Sequence, residues 1–149
     1  MRPIAIGSDH AGFILKEFIK KYLLKRDILF ADYGTFSEES CDYPDFAALV
    51  SGAVTNGESD KGILFCGSSS GMVIVANKFK GVRAVACHDP FVAEMSRKHN
   101  DSNVLALGGR IIELEKATEI VQTWLDTEFE GGRHKRRLDK LRDIEEGFG

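Results

Sequence analysis

Cysteine is scarce in this chain. Its 149 residues hold three, Cys41, Cys66 and Cys87, and an odd number at irregular spacing argues against a disulfide framework and for a reducing, cytoplasmic setting. Long apolar runs are missing too. The longest near the middle, Met72–Ala76, falls far short of the ~18 residues that a membrane span needs. The opening Met1-Arg2-Pro3-Ile4 lacks the apolar stretch of a secretory signal. There is no excess of positive charge: the net charge of −3 gives no general attraction to nucleic acid or to an anionic membrane. No Pro/Ser-rich linker, composition shift or internal repeat divides the chain, so one domain spanning 1–149 is expected. With 43% hydrophobic and 29% charged residues, collagen-like, coiled-coil and disordered classes are excluded.

What is present is an alternation of short β-rich runs with longer amphipathic stretches. Strands are expected at Ile4–Ser8, Ile28–Tyr33, Gly62–Cys66, Arg83–Cys87 and Val104–Leu107. Helical spacing appears from about Gly12 to Arg26, where Leu15, Phe18, Ile19, Tyr22 and Leu23 share a face. A second helix opens at Pro44 with Phe46, Leu49, Val50 and Ala53 on one side. Others cover Gly71–Phe79, a segment with Asp89 as N-cap and Pro90 at its first position, and Leu114–Leu125. A last helix, from about Arg133 to Glu146, carries Leu138, Leu141 and Ile144. Five strands alternating with helices predict an α/β fold: a three-layer α/β/α domain on a five-stranded parallel, Rossmann-like sheet. Strand order is not readable from this pattern.

Ligands of such sheets bind beyond the carboxyl ends of the strands, and four of the five loops there carry reactive residues. The most informative is Cys66 followed by Gly67-Ser68-Ser69-Ser70-Gly71. Small residues at a strand-to-helix turn let several N–H groups point at one anion. A thiol at a helix N-terminus is expected to ionise more readily, and a thiolate can remove a proton or attack a centre. The alternative is a small buried residue ending a strand. A cysteine-dependent phosphatase would close the loop with an arginine six residues after the cysteine, and that position is Met72.

Asp9-His10 ends the first strand, either as a helix-capping pair or as a grip on a hydroxylated, anionic ligand. His99-Asn100-Asp101 falls at the opposite edge of the sheet from Cys66. Within one chain it should not reach the same site, so any function there implies a neighbouring subunit. Arg133 and Arg137 share one face near the start of the last helix, and two guanidinium forks suit a phosphate dianion. The run Arg133-His134-Lys135-Arg136-Arg137 reads alternatively as a solvated face or a nucleic-acid patch; it lacks the interleaved aromatics of single-strand binders. His10, His88, His99 and His134 show no H-x-x-x-H spacing, so no metal site is expected.

Seven segments, in order, resemble the B-type ribose-5-phosphate isomerase family, which includes galactose- and allose-6-phosphate isomerases. They are Gly7-Ser8-Asp9-His10-Ala11-Gly12, Asp42-Tyr43-Pro44-Asp45, Cys66-Gly67, Ala76-Asn77-Lys78, Gly81-Val82-Arg83-Ala84, Ser96-Arg97-Lys98-His99-Asn100-Asp101 and Gly131-Gly132-Arg133-His134. The resemblance implies a metal-free, cofactor-free aldose–ketose isomerase of a phosphorylated sugar, a homodimer or dimer of dimers with shared sites. It implies Cys66 as the base between C1 and C2, His99 as the ring opener, and Asp9, His10 and Tyr43 as sugar contacts. Asn100 would support the intermediate, Arg133 and Arg137 would hold the phosphate with help from His10, and Arg110 matches a ligand-contacting position. The Gly67–Gly71 backbone, including Ser69 and Ser70, would stabilise the enediolate, and the Ser68 hydroxyl would shuttle a proton. One departure stands in that loop: where the family usually has Cys-Gly-Thr-Gly-x-Gly, Ser69 replaces a glycine, which matters if the position needs φ > 0. Ribose 5-phosphate is the first substrate expected; a 6-phosphohexose, or phosphosugar binding without catalysis, is the alternative.

Overall fold

A computed structural model describes residues 1–148. The strands are β1 (Ile4–Ser8), β2 (Phe30–Asp32), β3 (Gly62–Cys66), β4 (Ala84–Ala86) and β5 (Val104–Gly108). Between and after them run α1 (Phe13–Lys25), α2 (Tyr43–Thr55), α3 (Ser70–Ala76), α4 (Pro90–Asn100), α5 (Leu114–Asp126) and α6 (Arg133–Phe148). All strand pairs are parallel, in the order β2-β1-β3-β5-β4.

The period-two alternation of the strands divides the core. Ile4, Ile6, Ile63, Phe65, Leu105 and Leu107 face Leu15, Ile19 and Leu23 of α1, Ala93 of α4, and Ala117, Ile120, Val121 and Trp124 of α5. Ala5, Leu64, Cys66, Val104 and Ala106 face the other way, onto Ala47, Val50 and Ala53 of α2 and Met72 and Ala76 of α3. Strands buried on both faces explain why they read as continuous apolar runs. The chain is thus an α/β protein with three layers. Among the described residues, no helix is long and apolar enough to cross a membrane.

Several expectations shift. The second strand is shorter than Ile28–Tyr33, because the Ile28 N–H donates to Leu23 O (2.9 Å) and closes the end of α1 instead of pairing. The helix after β3 stops at Ala76, not Phe79, as Lys78 and Phe79 N–H groups turn back to Val75 and Ala76 carbonyls. Arg83 and Cys87 fall outside β4. On α2 the buried arc passes through Ala47, Val50 and Ala53, and Leu49 lies exposed. Leu141 and Ile144 of α6 are exposed as well.

The turn between α4 and β5 is rigid. Arg97, buried, donates from Nε to Thr127 O (3.0 Å) and from Nη1 to Asp101 Oδ1 (2.8 Å) and Ser102 O (2.7 Å). Ser102 Oγ also accepts the Trp124 indole N–H (2.8 Å). These bonds pin the end of α4, and with it His99 and Asn100, against the end of α5.

Candidate active site

The strand order places a topological switch between β1 and β3: from β1 the chain moves out to β2, and from β3 the remaining strands lie on the other side. Loops after adjacent strands diverge at such a point and leave a crevice. A cleft of about 420 Å³ opens there, lined by Asp9, His10, Ala11, Tyr43, Cys66, Gly67, Ser68, Gly71, Arg110 and Ile111. Loops after β1, β3 and β5 and the start of α2 therefore converge on the sulfur of Cys66.

The loops meet through their main chains. The Asp9 N–H donates to Phe65 O (3.1 Å), the Gly109 N–H to Cys66 O (2.6 Å) and the Arg110 N–H to Gly67 O (3.1 Å). A Cβ on Gly12 would stand 2.3 Å from the Phe65 carbonyl, and one on Gly71 would stand 2.5 Å from the Tyr43 ring. Glycine at these two positions is what allows the helix start to abut β3 and the Tyr43 ring to lie over the loop.

Asp9 is buried and accepts the Gly12 N–H (3.0 Å) on Oδ1, so it braces the loop and faces the cleft; it does not cap α1, whose N-cap is Gly12 with no side-chain bond. His10 Nδ1 accepts the Cys41 N–H (3.2 Å). That lone pair must be free, so the neutral ring carries its proton on Nε2 as a donor. Cys41 is half-buried against this ring, whereas Cys87 is fully buried in the core, its thiol pushed up to about 11 by burial.

Cys66 sits at the end of β3, 5% exposed. Ser69 takes φ +76°, and its N–H donates to Cys66 Sγ (3.0 Å). The position where the family carries glycine is thus a left-handed one, and a serine adopts it at a cost of about 1 kcal/mol or more. The Ser69 hydroxyl donates to the Ser68 carbonyl. The Cys66 pKa is not lowered as expected. Burial raises it, N–H groups of Ser69, Met72 and Ser68 pull it down, the Asp9 charge pushes it up, and the net direction is upward. A helix N-terminus alone does not make a thiolate when the sulfur is cut off from water.

Of the residues singled out in the sequence, Asp9, His10, Tyr43, Cys66, Gly67, Ser68, Gly71 and Arg110 line one cleft. Ser69 lies buried behind the sulfur, and Ser70 is the exposed first residue of α3. His99, Asn100, Arg133 and Arg137 do not line it. Because α4 runs back against the strands to the start of β5, His99 sits at the opposite end of the sheet from Cys66, not at its opposite edge as the sequence suggests. Asn100 borders a separate groove with Asn77, Val82, Arg83, Leu141 and Ile144. Ala11 and Ile111 were missed; nothing in their residue types points to a cleft.

A second cluster escaped the sequence reading. His99 and His134 rings stack at 4.3 Å between centroids, and Glu130 Oε1 lies 3.6 Å from His99 Nε2 and 3.9 Å from His134 Nε2. The i, i+4 spacing of Glu130 and His134 is the signal the sequence carries; histidine-pair spacing does not show it.

A doubly wound α/β protein with a cysteine-centred cleft at its switch point is the class that fold and site define. The chain belongs to the Ribose/Galactose Isomerase family, whose model matches residues 4–141. It is 50% identical over 146 residues to "Ribose-5-phosphate isomerase B" of Escherichia coli K12, covering 98% of each chain. Among solved structures it is similar to Clostridium thermocellum ribose-5-phosphate isomerase B (TM-score 0.97, 49% identity, 99% of each chain). Another is the Mycoplasma genitalium ribose-5-phosphate isomerase B with bound ribulose 5-phosphate (TM-score 0.92, 40% identity, 97% of this chain and 96% of that one).

Proposed function

We propose that this chain is an aldose–ketose isomerase, needing no metal or cofactor, that interconverts ribose 5-phosphate and ribulose 5-phosphate through an enediolate. The observation that carries the reading is the Cys66 sulfur, held by the Ser69 N–H at 3.0 Å in a cleft that Asp9, His10, Tyr43 and Arg110 also line. Near-complete coverage by relatives of that name supports it.

The hydrogen on C2 of the open-chain aldose is made acidic by the C1 carbonyl. Cys66, as thiolate, removes it; the electron pair moves to form the C1–C2 enediolate, and the proton returns to C1 to give the ketose. Thiol chemistry near neutral pH then requires that substrate binding favour the thiolate, since burial disfavours it in the free chain. N–H groups of the Gly67–Gly71 turn not turned toward the Cys66 sulfur, those of Gly67, Ser70 and Gly71, stabilise the charge developing on the substrate oxygens, a contribution of roughly 2.7–4 kcal/mol per donor in comparable sites. The Ser68 hydroxyl, exposed at the cleft, carries a proton between O1 and O2. Asp9, His10, Tyr43 and Arg110 orient the sugar.

In a second copy, His99 opens the ring, Asn100 supports the intermediate, and Arg133 and Arg137 hold the phosphate with help from His10 of the Cys66 chain. A homodimer or dimer of dimers is part of the proposal, with the 1–149 chain as one isomerase domain of the cytoplasm. Two features support it: these four side chains lie away from the Cys66 cleft of their own chain, and Leu141 and Ile144 expose an apolar face beside Asn100.

The test is turnover of ribose 5-phosphate, followed as ribulose 5-phosphate, with EDTA present. Sustained conversion is expected. A folded, oligomeric protein that converts none of it overturns the pentose reading and moves the assignment to a 6-phosphohexose, or to binding alone if that also fails.

A further inference from the structure

Three groups of metal-ligating chemistry, each from a different stretch of chain, meet at the end of α4. His99 stands in its last turn. Glu130 is brought beside it by its own main chain, whose N–H donates to Lys98 O (3.1 Å). Gly131 and Gly132, at φ +72° and +56°, then reverse the chain into the first turn of α6, which delivers His134. The donor atoms of His99, Glu130 and His134 all lie within 4.8 Å of one another. We propose that these three side chains form a binding site for zinc or a similar divalent cation, and that its occupation takes His99 out of the isomerase reaction. The second half rests on the role given to His99 above; the first does not.

Two imidazoles and a carboxylate are a donor set that suits zinc, with a fourth position left to water. In a tetrahedral site with ligand bonds of about 2.0–2.1 Å, donors stand roughly 3.4 Å apart. The Glu130 Oε1 distances of 3.6 Å to His99 Nε2 and 3.9 Å to His134 Nε2 need only a few tenths of an ångström of closure. The two rings are near parallel, 19° apart. A ring nitrogen binds in its own plane, so one ring must turn. His134 is the fixed one, its side chain 8% exposed, while His99 and Glu130 are 39% and 50% exposed and free to move to it. Binding therefore redirects the His99 ring and occupies its Nε2. Arg133 and Arg137 oppose a bare dication, and Lys98 is already held by Glu94. An affinity on the order of micromolar is expected rather than the far tighter binding of structural zinc sites.

Zinc titration by calorimetry, on the whole oligomer stripped with EDTA and desalted, tests the site. One zinc per chain is expected. Glu130→Gln should weaken binding at least about 10-fold, the loss that even a supporting group outside the ligand set causes, and should leave turnover in EDTA unchanged. Cys66→Ala should bind zinc as the parent does, which separates this site from a thiolate ligand. Zinc should inhibit turnover of the parent, reversibly with EDTA, and inhibit Glu130→Gln only at correspondingly higher concentration. No saturable binding, or binding lost in Cys66→Ala and kept in Glu130→Gln, overturns the site. Binding at the site with undiminished turnover overturns the inhibitory role. A chain with Glu130-dependent zinc binding and no turnover of any phosphosugar keeps the site and refutes the isomerase reading instead.

Discussion

Gly12→Ala puts the close approach of α1 to β3 to the test. Gly12 caps α1 with φ −97°, a conformation alanine adopts freely, so only space decides the outcome. The new Cβ would lie 2.3 Å from the carbonyl carbon and oxygen of Phe65 and 2.6 Å from the Cys66 nitrogen. Ordinary contact begins near 3.4 Å, so the helix start and the strand end must part by about 1 Å. Both sides are main chain, and no rotamer can relieve the clash. Overpacking costs about 1–3 kcal/mol in general, and two unyielding backbones put this case near 3 kcal/mol. At roughly 2–4 °C per kcal/mol for a chain of this size, Tm should fall by about 6–12 °C. Because the part that moves carries Cys66, a shift of about 1 Å should also cost on the order of 100-fold in turnover. Gly52→Ala is the control: in the middle of α2, its Cβ meets nothing within 4 Å, and it should gain about 0.5–1 kcal/mol. Thermal unfolding by circular dichroism and ribose 5-phosphate turnover, run side by side on both variants, measure this. A Gly12→Ala protein with parental Tm and full turnover would refute the reasoning.

Lys16 Nζ, wholly buried, donates to both oxygens of Asp32 at 2.7 Å, and Lys20 adds a contact at 2.9 Å. Burial alone would raise the Asp32 pKa, but the bonds from Lys16, Lys20 and the Gly34 N–H hold it below the usual carboxylate range. The pair thus stabilises the fold above the ordinary Asp range and loses that contribution as pH falls through the depressed value. Lys16→Met should cost about 3 kcal/mol in urea unfolding at pH 7 and bring acid unfolding to higher pH; an unchanged acid limb would remove Asp32 from that role. Alkylation of Cys66 in the free protein should follow a pH curve centred above the ordinary thiol range, given its upward shift, and a curve centred below neutrality would contradict the burial argument. Mixing inactive Cys66→Ala and His99→Ala proteins under conditions of subunit exchange should restore part of the activity; none, with exchange demonstrated, would place His99 outside a shared site.

The strands and helices were legible because period-two and 3.6-residue patterns survive in the chain, down to Asp89, whose carboxylate does accept the Val92 N–H (2.8 Å). Periodicity reports which face must be covered and says nothing of what covers it. That is why Leu49, Leu141 and Ile144 read as core and stand exposed. Strand order was hidden for a related reason: parallel strands with similar apolar runs are interchangeable until long-range pairing sorts them. The loop chemistry at Asp9-His10, Cys66–Gly71 and Arg110 was visible as residue types, and the crossover between β1 and β3 gathered it. The sign of the Cys66 shift was misread, since a helix N-terminus can be seen in sequence and the exclusion of water cannot. Glu130 went unseen because it joins His99 only through a contact across 31 positions of chain.

Behind the cleft lining, main chain packs against main chain: Gly109 abuts the Ala11 carbonyl, where a Cβ would come within 2.8 Å, as Gly12 abuts Phe65. A surface made of peptide planes has no rotamers to freeze. A backing of that kind holds the loops in place before a ligand arrives, so an ordering cost of about 0.5–1.5 kcal/mol per side chain falls only on exposed lining groups such as Arg110 and Tyr43. The heat of binding should then report few frozen torsions, and selectivity between sugars of different length falls to those lining groups, leaving the backing common to all of them.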